Sequence, residues 1–258
     1  MKIKVLFENK NLLVLDKPAG IVVHGDGKTK QPSIADYILK NFKKLKGVGE
    51  DLTLDVNGKE VVVAKPGIVH RLDKDTTGCL LVAKSQTSFE NLKGQFQNHK
   101  IKKEYIGLVW GHVKNDTGII DMPIARSKSD FRKKEVVTVR RGENAADLHR
   151  GEERDAITRY KVLKKITLFG EKLTLITFFP QTGRMHQLRI HTKSIGHPIV
   201  GDYLYGPKKE KFEKKFFAKF TVRHLLHARA ITFINPESGE SIKVESPLPK
   251  DFQEKLLK

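Results

Sequence analysis

The residues best suited to chemistry lie in the block His70-Arg71-Leu72-Asp73-Lys74-Asp75-Thr76-Thr77-Gly78-Cys79-Leu80-Leu81-Val82-Ala83-Lys84, where charged groups run straight into an apolar segment. Val69 before the charged residues and Leu80-Leu81-Val82-Ala83 after them are too short for helices and read as buried β segments. The residues between them form a loop or strand end flanked by core. Such a place holds Asp73 and Arg71 firmly while leaving them reachable from solvent, and binding and catalytic groups concentrate on loops of this kind. A solvated loop with an Arg/Asp ion pair has the same composition.

Two later stretches carry further candidates. Around Tyr105, Ile101 to Gly111 alternates as a strand, where a tyrosine can pack across strands or offer an aromatic face to a ligand. Arg184 follows Gly183 directly and leads into an alternating or helical run with His186 and His191. With His197 these histidines invite a metal reading. Their spacing does not match a His-Glu-x-x-His helix, and no cysteines assist, so no metal site is expected. Gly20 and Gly25 have the spacing of a phosphate-binding P-loop, but Asp26 stands where that loop needs lysine. No nucleotide cofactor is expected by that route.

The elements that must position these groups are mostly strands. Residues 3–7 and 12–15 read as a hairpin turning at 8–11, and Pro18 and Gly20 mark a turn before a strand ending at a polar loop. Residues 33–46 read as a helix capped by Ser33, and 47–60 as an exposed excursion before a strand at 61–64. A helix over about 88–98 presents Phe89, Leu92 and Phe96 on one face. Arg126, Lys128, Arg132, Lys133, Lys134, Arg140 and Arg141 form a basic stretch, either a solvated loop or a contact for a polyanion. Residues 142–154 read as a loop or hairpin tip. Strands follow at 155–163 and 173–179 around Gly170. Residues 207–220 read as an amphipathic helix, and a short helix closes the chain. Predominant strand patterns without regular β-α-β alternation indicate an α+β fold with a mostly antiparallel sheet.

Composition bounds the function. In 258 residues, 49 Lys and Arg face 30 Asp and Glu, a formal net charge of +19 suited to a polyanionic partner. No apolar run approaches the roughly 20 residues of a membrane span. The N-terminus enters a strand pattern without a signal or transit character, so a cytoplasmic protein without membrane association is expected. The single cysteine, Cys79, rules out an intrachain disulfide and reads as a buried structural thiol.

The block from His70-Arg71-Leu72-Asp73 through Thr77-Gly78 to Ala83-Lys84 resembles the signature of the RluA family of RNA pseudouridine synthases, with Thr77 where the family commonly carries serine. Lys17-Pro18-Ala19-Gly20 with His24 is similar to the family's first segment, and Lys103-Glu104-Tyr105 to its tyrosine segment. Thr182-Gly183-Arg184-Met185-His186-Gln187-Leu188-Arg189-Ile190-His191 is similar to its arginine segment, with Met185 in the usual place of threonine. Residues 198–206 and 223–236 extend the likeness, which runs in family order over about residues 3–252.

The resemblance implies a pseudouridine synthase fold, with a mixed, mostly antiparallel central sheet in two halves, flanking helices and a catalytic cleft. Residues 1–258 would form one catalytic domain, without the S4 RNA-binding domain of many relatives. Asp73 would be the catalytic carboxylate and Arg184 its ionic partner. Tyr105 would lie against the target base, and Arg71 would take the place of the flipped uridine. The expected partner is structured rRNA or tRNA, bound by a monomer with no cofactor. A non-catalytic RNA-binding protein and a metal-dependent hydrolase are the competing readings.

Overall fold

The computed structural model describes residues 3–130, 133–137, 149–168, 170–207, 221 and 223–256. The chain divides into two compact units, Met1–Lys103 with His227–Pro249, and Glu104–Leu226 with Lys250–Lys258.

In the first unit, β1 (Lys4–Glu8) and β2 (Leu12–Lys17) form an antiparallel hairpin. Asn9 closes it, its side-chain oxygen accepting the N–H groups of Asn11 and Leu12 at 2.9 and 2.7 Å. This is the local bond that makes asparagine a turn residue. β2 pairs antiparallel with β5 (Thr77–Ala83), and β5 pairs in parallel with β13 (Leu226–Ile234) through His227↔Thr77 and Ala228↔Gly78. β14 (Ser241–Glu245) runs antiparallel to β13. Every residue of β5 is buried, which explains its continuous apolar run in place of an alternating one. The sheet is thus mixed, as expected, with its parallel pair beside the charged loop.

The helix α2 (Gln86–Gln97) covers this sheet. Ser85 caps it by accepting the Ser88 N–H at 3.2 Å, and Phe89 and Leu92 pack into a core with Leu12, Val14, Leu81, Ile231 and Phe233. The helix expected over 33–46 is shorter. α1 (Ile34–Asn41) starts at a capping box between Ser33 and Asp36, then breaks at Phe42 into a 3₁₀ turn, Lys43–Leu45. The strand expected after Gly20 reduces to a single bridge, Val22↔Ser33. The excursion expected over 47–60 is also corrected: it holds β3 (Leu52–Val56), which pairs with β4 (Lys59–Val63). Their turn is Asn57-Gly58, with φ of 56° and 77°, the positive values that a two-residue hairpin turn requires.

In the second unit, β12 (Glu171–Pro180) lies between β6 (Lys102–Trp110) and β11 (Ile157–Leu168), and β7 (Thr117–Asp121) pairs with the far side of β11. All three pairings are antiparallel. A separate three-stranded sheet has β8 (Ile124–Ser127) at its centre, flanked by β9 (Lys134–Val136) and β10 (His149–Arg154). The loop expected over 142–154 is therefore a strand from residue 149. Residues 142–148, Arg132, Arg140, Arg141 and residues 208–220 lie outside the described residues.

Among the described residues, this unit also holds the helices α3 (Gln187–Ser194) and α4 (Lys250–Leu256). The guanidinium of Arg223 donates twice to the Asp251 carboxylate, at 2.7 and 2.9 Å, and so ties the start of α4 to the segment before β13. Among the described residues no helix is long and apolar enough to cross a membrane.

Candidate active site

Asp73 stands at the first position of a turn, where its carbonyl oxygen accepts the Thr76 N–H at 3.1 Å before the chain enters β5. Aspartate is favoured at this turn position. The turn is fixed from beneath by Lys17, the last residue of β2. Lys17 is fully buried, and its ammonium donates to the carbonyl oxygens of Pro18 and Lys74, each at 2.8 Å. A buried ammonium is costly unless its donors are used, and here they hold the backbone next to Asp73. Asp73 itself is half-buried, Leu72 is buried, and Arg71 is exposed.

His70 anchors the other side of the loop. Its Nε2 accepts the Leu81 N–H of β5 at 2.9 Å, which places the ring proton on Nδ1, and its ring stacks on Phe96 of α2 at 4.9 Å between centroids. Burial, and secondly the charge of Lys103, push its pKa down to about 3. His70 is therefore a neutral structural group at physiological pH. Arg71 approaches His24, with Nη1 3.5 Å from Nε2, while His24 Nδ1 donates to the Gly25 carbonyl at 2.8 Å. Burial first, with Arg71 and Lys65 adding to it and the Gly25 bond opposing, holds His24 below its ordinary pKa. It faces Arg71 as an acceptor.

Behind the turn, the Thr77 hydroxyl is hydrogen-bonded to His227 Nδ1 at 2.9 Å in a buried position. Thr77 thus keeps the hydroxyl that serine would supply. The next residue, Gly78, has φ +110°, and a Cβ there would overlap the Ala228 carbonyl oxygen, so only glycine lets β5 and β13 approach here. Cys79 is buried, its thiol pushed up to about 12 by burial and then by Asp16, which leaves it an unreactive part of the core.

In the second unit, Tyr105 lies on β6 opposite Phe178 of β12, half-buried against the cluster of Val109, Ile176, Phe178 and Ile199. Its neighbour Gly107 gives room to the Phe178 ring, which a Cβ would meet at 2.8 Å. Arg184 is half-buried in the turn before α3. Its N–H donates to Gln187 Oε1 at 2.9 Å, and its Nε donates to the Asp155 carbonyl at 3.0 Å. Buried Gln187 is the hub of this turn, since it also accepts from Thr182 and donates to the Ile157 carbonyl and to Thr158. Met185, beside Arg184, is exposed at 39 %.

The three histidines of this region have separate partners. His186, in the left-handed conformation at φ 59°, is bonded to the Tyr205 hydroxyl at 2.9 Å. Buried His191 is bonded to Thr158 and the Met122 carbonyl, and His197 Nδ1 donates to the Trp110 carbonyl. Among the described residues no three His, Cys, Asp or Glu side chains gather as metal ligands would. Nearby, Asp202 is fully buried and accepts two bonds from Arg189, at 2.7 and 2.9 Å, and the N–H groups of Leu204 and Tyr205. Burial opposes its charge, but the Arg189 bonds outweigh that and hold the carboxyl below its ordinary pKa.

The predicted site residues therefore separate into two groups: Asp73 and Arg71 share one loop of the first unit, and Tyr105 and Arg184 belong to the second. Lys17, Gln187 and Tyr205 were not singled out as positioning residues in the sequence. Lys17 was the hardest to find, because a lysine ending a strand normally reads as solvent-exposed.

The family model described as RNA pseudouridylate synthase matches residues 11–194. An uncharacterized RNA pseudouridine synthase of Aquifex aeolicus is 36% identical over 97% of this chain and 71% of its own length. The ribosomal large subunit pseudouridine synthase D of Zymomonas mobilis is 34% identical over 97% of this chain and 71% of its own length. Among solved structures, human RNA pseudouridylate synthase domain containing 4 is similar with a TM-score of 0.71 and 26% identity, covering 98% of this chain and 91% of that one. The chain belongs to the RluA-type RNA pseudouridine synthases, isomerases that act on RNA.

Proposed function

We propose that the chain converts specific uridines of large-subunit ribosomal RNA to pseudouridine, with Asp73 as the catalytic carboxylate. The observation that carries this reading is how Asp73 is held. A buried lysine and a neutral, half-buried histidine fix the loop on both sides, and Asp73 remains only half-buried between them. Such rigid support is what a catalytic group needs, since small misplacements are costly in rate. The ribosomal substrate is proposed from similar proteins, two of which are ribosomal large subunit pseudouridine synthases D.

In this reaction the N1–C1′ bond of uridine breaks, the base turns, and a C5–C1′ bond forms. The C5 proton leaves and N1 carries one, so substrate and product are isomers and no redox partner is consumed. Asp73 acts at the sugar–base junction as an ionised carboxylate. Arg184 is its ionic partner, which favours that ionised form. Tyr105 stacks on the uracil, and retention of the detached base keeps the rejoining step effectively unimolecular. A stacked uridine must first leave the helix, which costs a few kcal/mol. Arg71, exposed on the Asp73 loop, fills the vacated position, where its planar guanidinium stacks on neighbouring bases. The two units together constitute one catalytic domain that works as a monomer in the cytoplasm, without a cofactor.

The test is pseudouridine mapping of total RNA from cells with and without the gene. A position in large-subunit rRNA that loses its modification and regains it with the wild-type gene supports the proposal. A modification lost only from tRNA would replace the substrate, and no loss at any position would refute it.

A further inference from the structure

The three-stranded sheet of β8, β9 and β10 carries a charge pattern that folding does not explain. Arg126 on β8 is paired directly with Lys134 on β9. Two cationic side chains thus stand side by side across these strands. Residues directly opposite on an antiparallel sheet share a face, and like charges so placed destabilise the pairing.

The neighbourhood adds to the excess. Lys134 is half-buried and held below the ordinary lysine pKa, first by burial and then by the charges of Arg126, Arg154 and Arg184. Among the described acids nearby, Asp130 lies 3.8 Å from Lys133, Asp202 is bound by Arg189, and Glu152 and Glu153 are exposed on β10. Glu135 alternates with Lys134 along β9 and so belongs to the opposite sheet face.

This platform is also fixed in place. The Lys134 N–H donates to the Tyr205 hydroxyl at 3.1 Å, the same hydroxyl that is bonded to His186, and the Val137 N–H donates to the Pro123 carbonyl at 2.8 Å. Arg184 is held by its bond to the Asp155 carbonyl. Clustered cations on rigid backbone lose little freedom on binding an anion, and arginine matches the geometry of phosphate oxygens.

Resting on the reading of RNA as the substrate, we propose that Arg126 and Lys134, with Arg154 beside them, form a binding site for the phosphodiester backbone of that RNA. These cations hold the backbone independently of base identity, and the phosphate relieves their mutual repulsion.

The test compares Arg126→Gln/Lys134→Gln with wild type in direct binding to a 23S-type rRNA fragment at several salt concentrations. The plot of log affinity against log salt should become shallower by about 1 to 2. Affinity near physiological salt should fall at least about tenfold. Arg126→Lys should keep most of the slope. The free double variant should unfold at the same or a higher temperature than wild type, because repulsion has been removed. The control Lys93→Gln/Lys165→Gln removes the same charge from lysines already paired with Glu50 and Asp116, and should leave the slope in place.

An unchanged slope in the double variant overturns the proposal. So does an equal change in the control, which would assign the effect to net charge alone. A loss of affinity accompanied by a lowered unfolding temperature and not rescued by Arg126→Lys would assign these residues a structural role instead. Binding is read without turnover, so a failure of the proposed enzymatic activity would show separately, as an absence of pseudouridine.

Discussion

The ammonium of Lys17 donates to the carbonyl oxygen of Lys74 at 2.8 Å, so the end of β2 fixes the turn that begins at Asp73. Replacing Lys17 by methionine keeps much of the volume and removes the donor. The Pro18 and Lys74 carbonyls would lose that bond, at about 1–3 kcal/mol for each buried acceptor left unsatisfied. Lys17→Met should lower the unfolding temperature and reduce kcat more than it raises KM. Thermal denaturation and steady-state kinetics on the same preparation check both parts; unchanged kcat in folded protein would show that the turn does not depend on this bond.

His70 makes a pH-dependent contribution to stability. Its pKa is about 3 in the folded protein against 6.5 for the free side chain, so the unfolded chain binds the extra proton between these values. Stability from this group is complete above pH 6.5 and is lost as pH falls towards 3, at up to about 1.4 kcal/mol per pH unit. His70→Phe keeps a ring against Phe96 but orphans the Leu81 N–H. It should therefore be less stable than wild type at pH 7, by about 1–3 kcal/mol, with the difference shrinking as pH falls. Denaturant titrations across this range measure it, and a constant difference would contradict the assignment.

The buried pair Arg189–Asp202 holds the turn containing Tyr205. Because the folded state keeps the Asp202 carboxyl below its ordinary pKa, this contribution is present above the usual carboxylate range and disappears as pH falls through and below it. Asp202→Asn removes the buried carboxylate charge that faces Arg189 and should cost about 3–5 kcal/mol. Chemical denaturation gives the value; a loss under about 1 kcal/mol would mean that the guanidinium finds water or another partner.

Much of this fold was legible in the sequence because pattern and local chemistry agreed. Ser33 and Ser85 announce their helices, and Gly170 marks the turn between the long strands β11 and β12. The β3–β4 hairpin was missed although its Asn57-Gly58 pair is a strong hairpin signal; the charged residues around it obscured the alternation. β14 also went unread, since its five residues expose three. The helix over 33–46 was drawn too long because periodicity continues into Leu45, while the backbone of Phe42 does not.

The candidate site was reached in a different way. Asp73, Arg71, Tyr105 and Arg184 were proposed from motifs, and the loop character of the first two was legible in their flanking apolar runs. What could not be read was the support: the bonds of Lys17 to Lys74 and of Thr77 to His227 span 57 and 150 residues. Contacts of that separation leave no local periodicity. The cationic pair is invisible for the same reason, because register decides that Arg126 faces Lys134.

The central claim is that Asp73 carries the chemistry, and the most direct measurement is pseudouridine formation by purified Asp73→Asn on the rRNA fragment that wild type modifies. Asparagine keeps the shape and removes the charge. The account predicts a fall in turnover of at least about 10²–10⁴-fold, with RNA affinity and unfolding temperature close to wild type. Turnover within about tenfold of wild type would contradict it and transfer the catalytic role to another group.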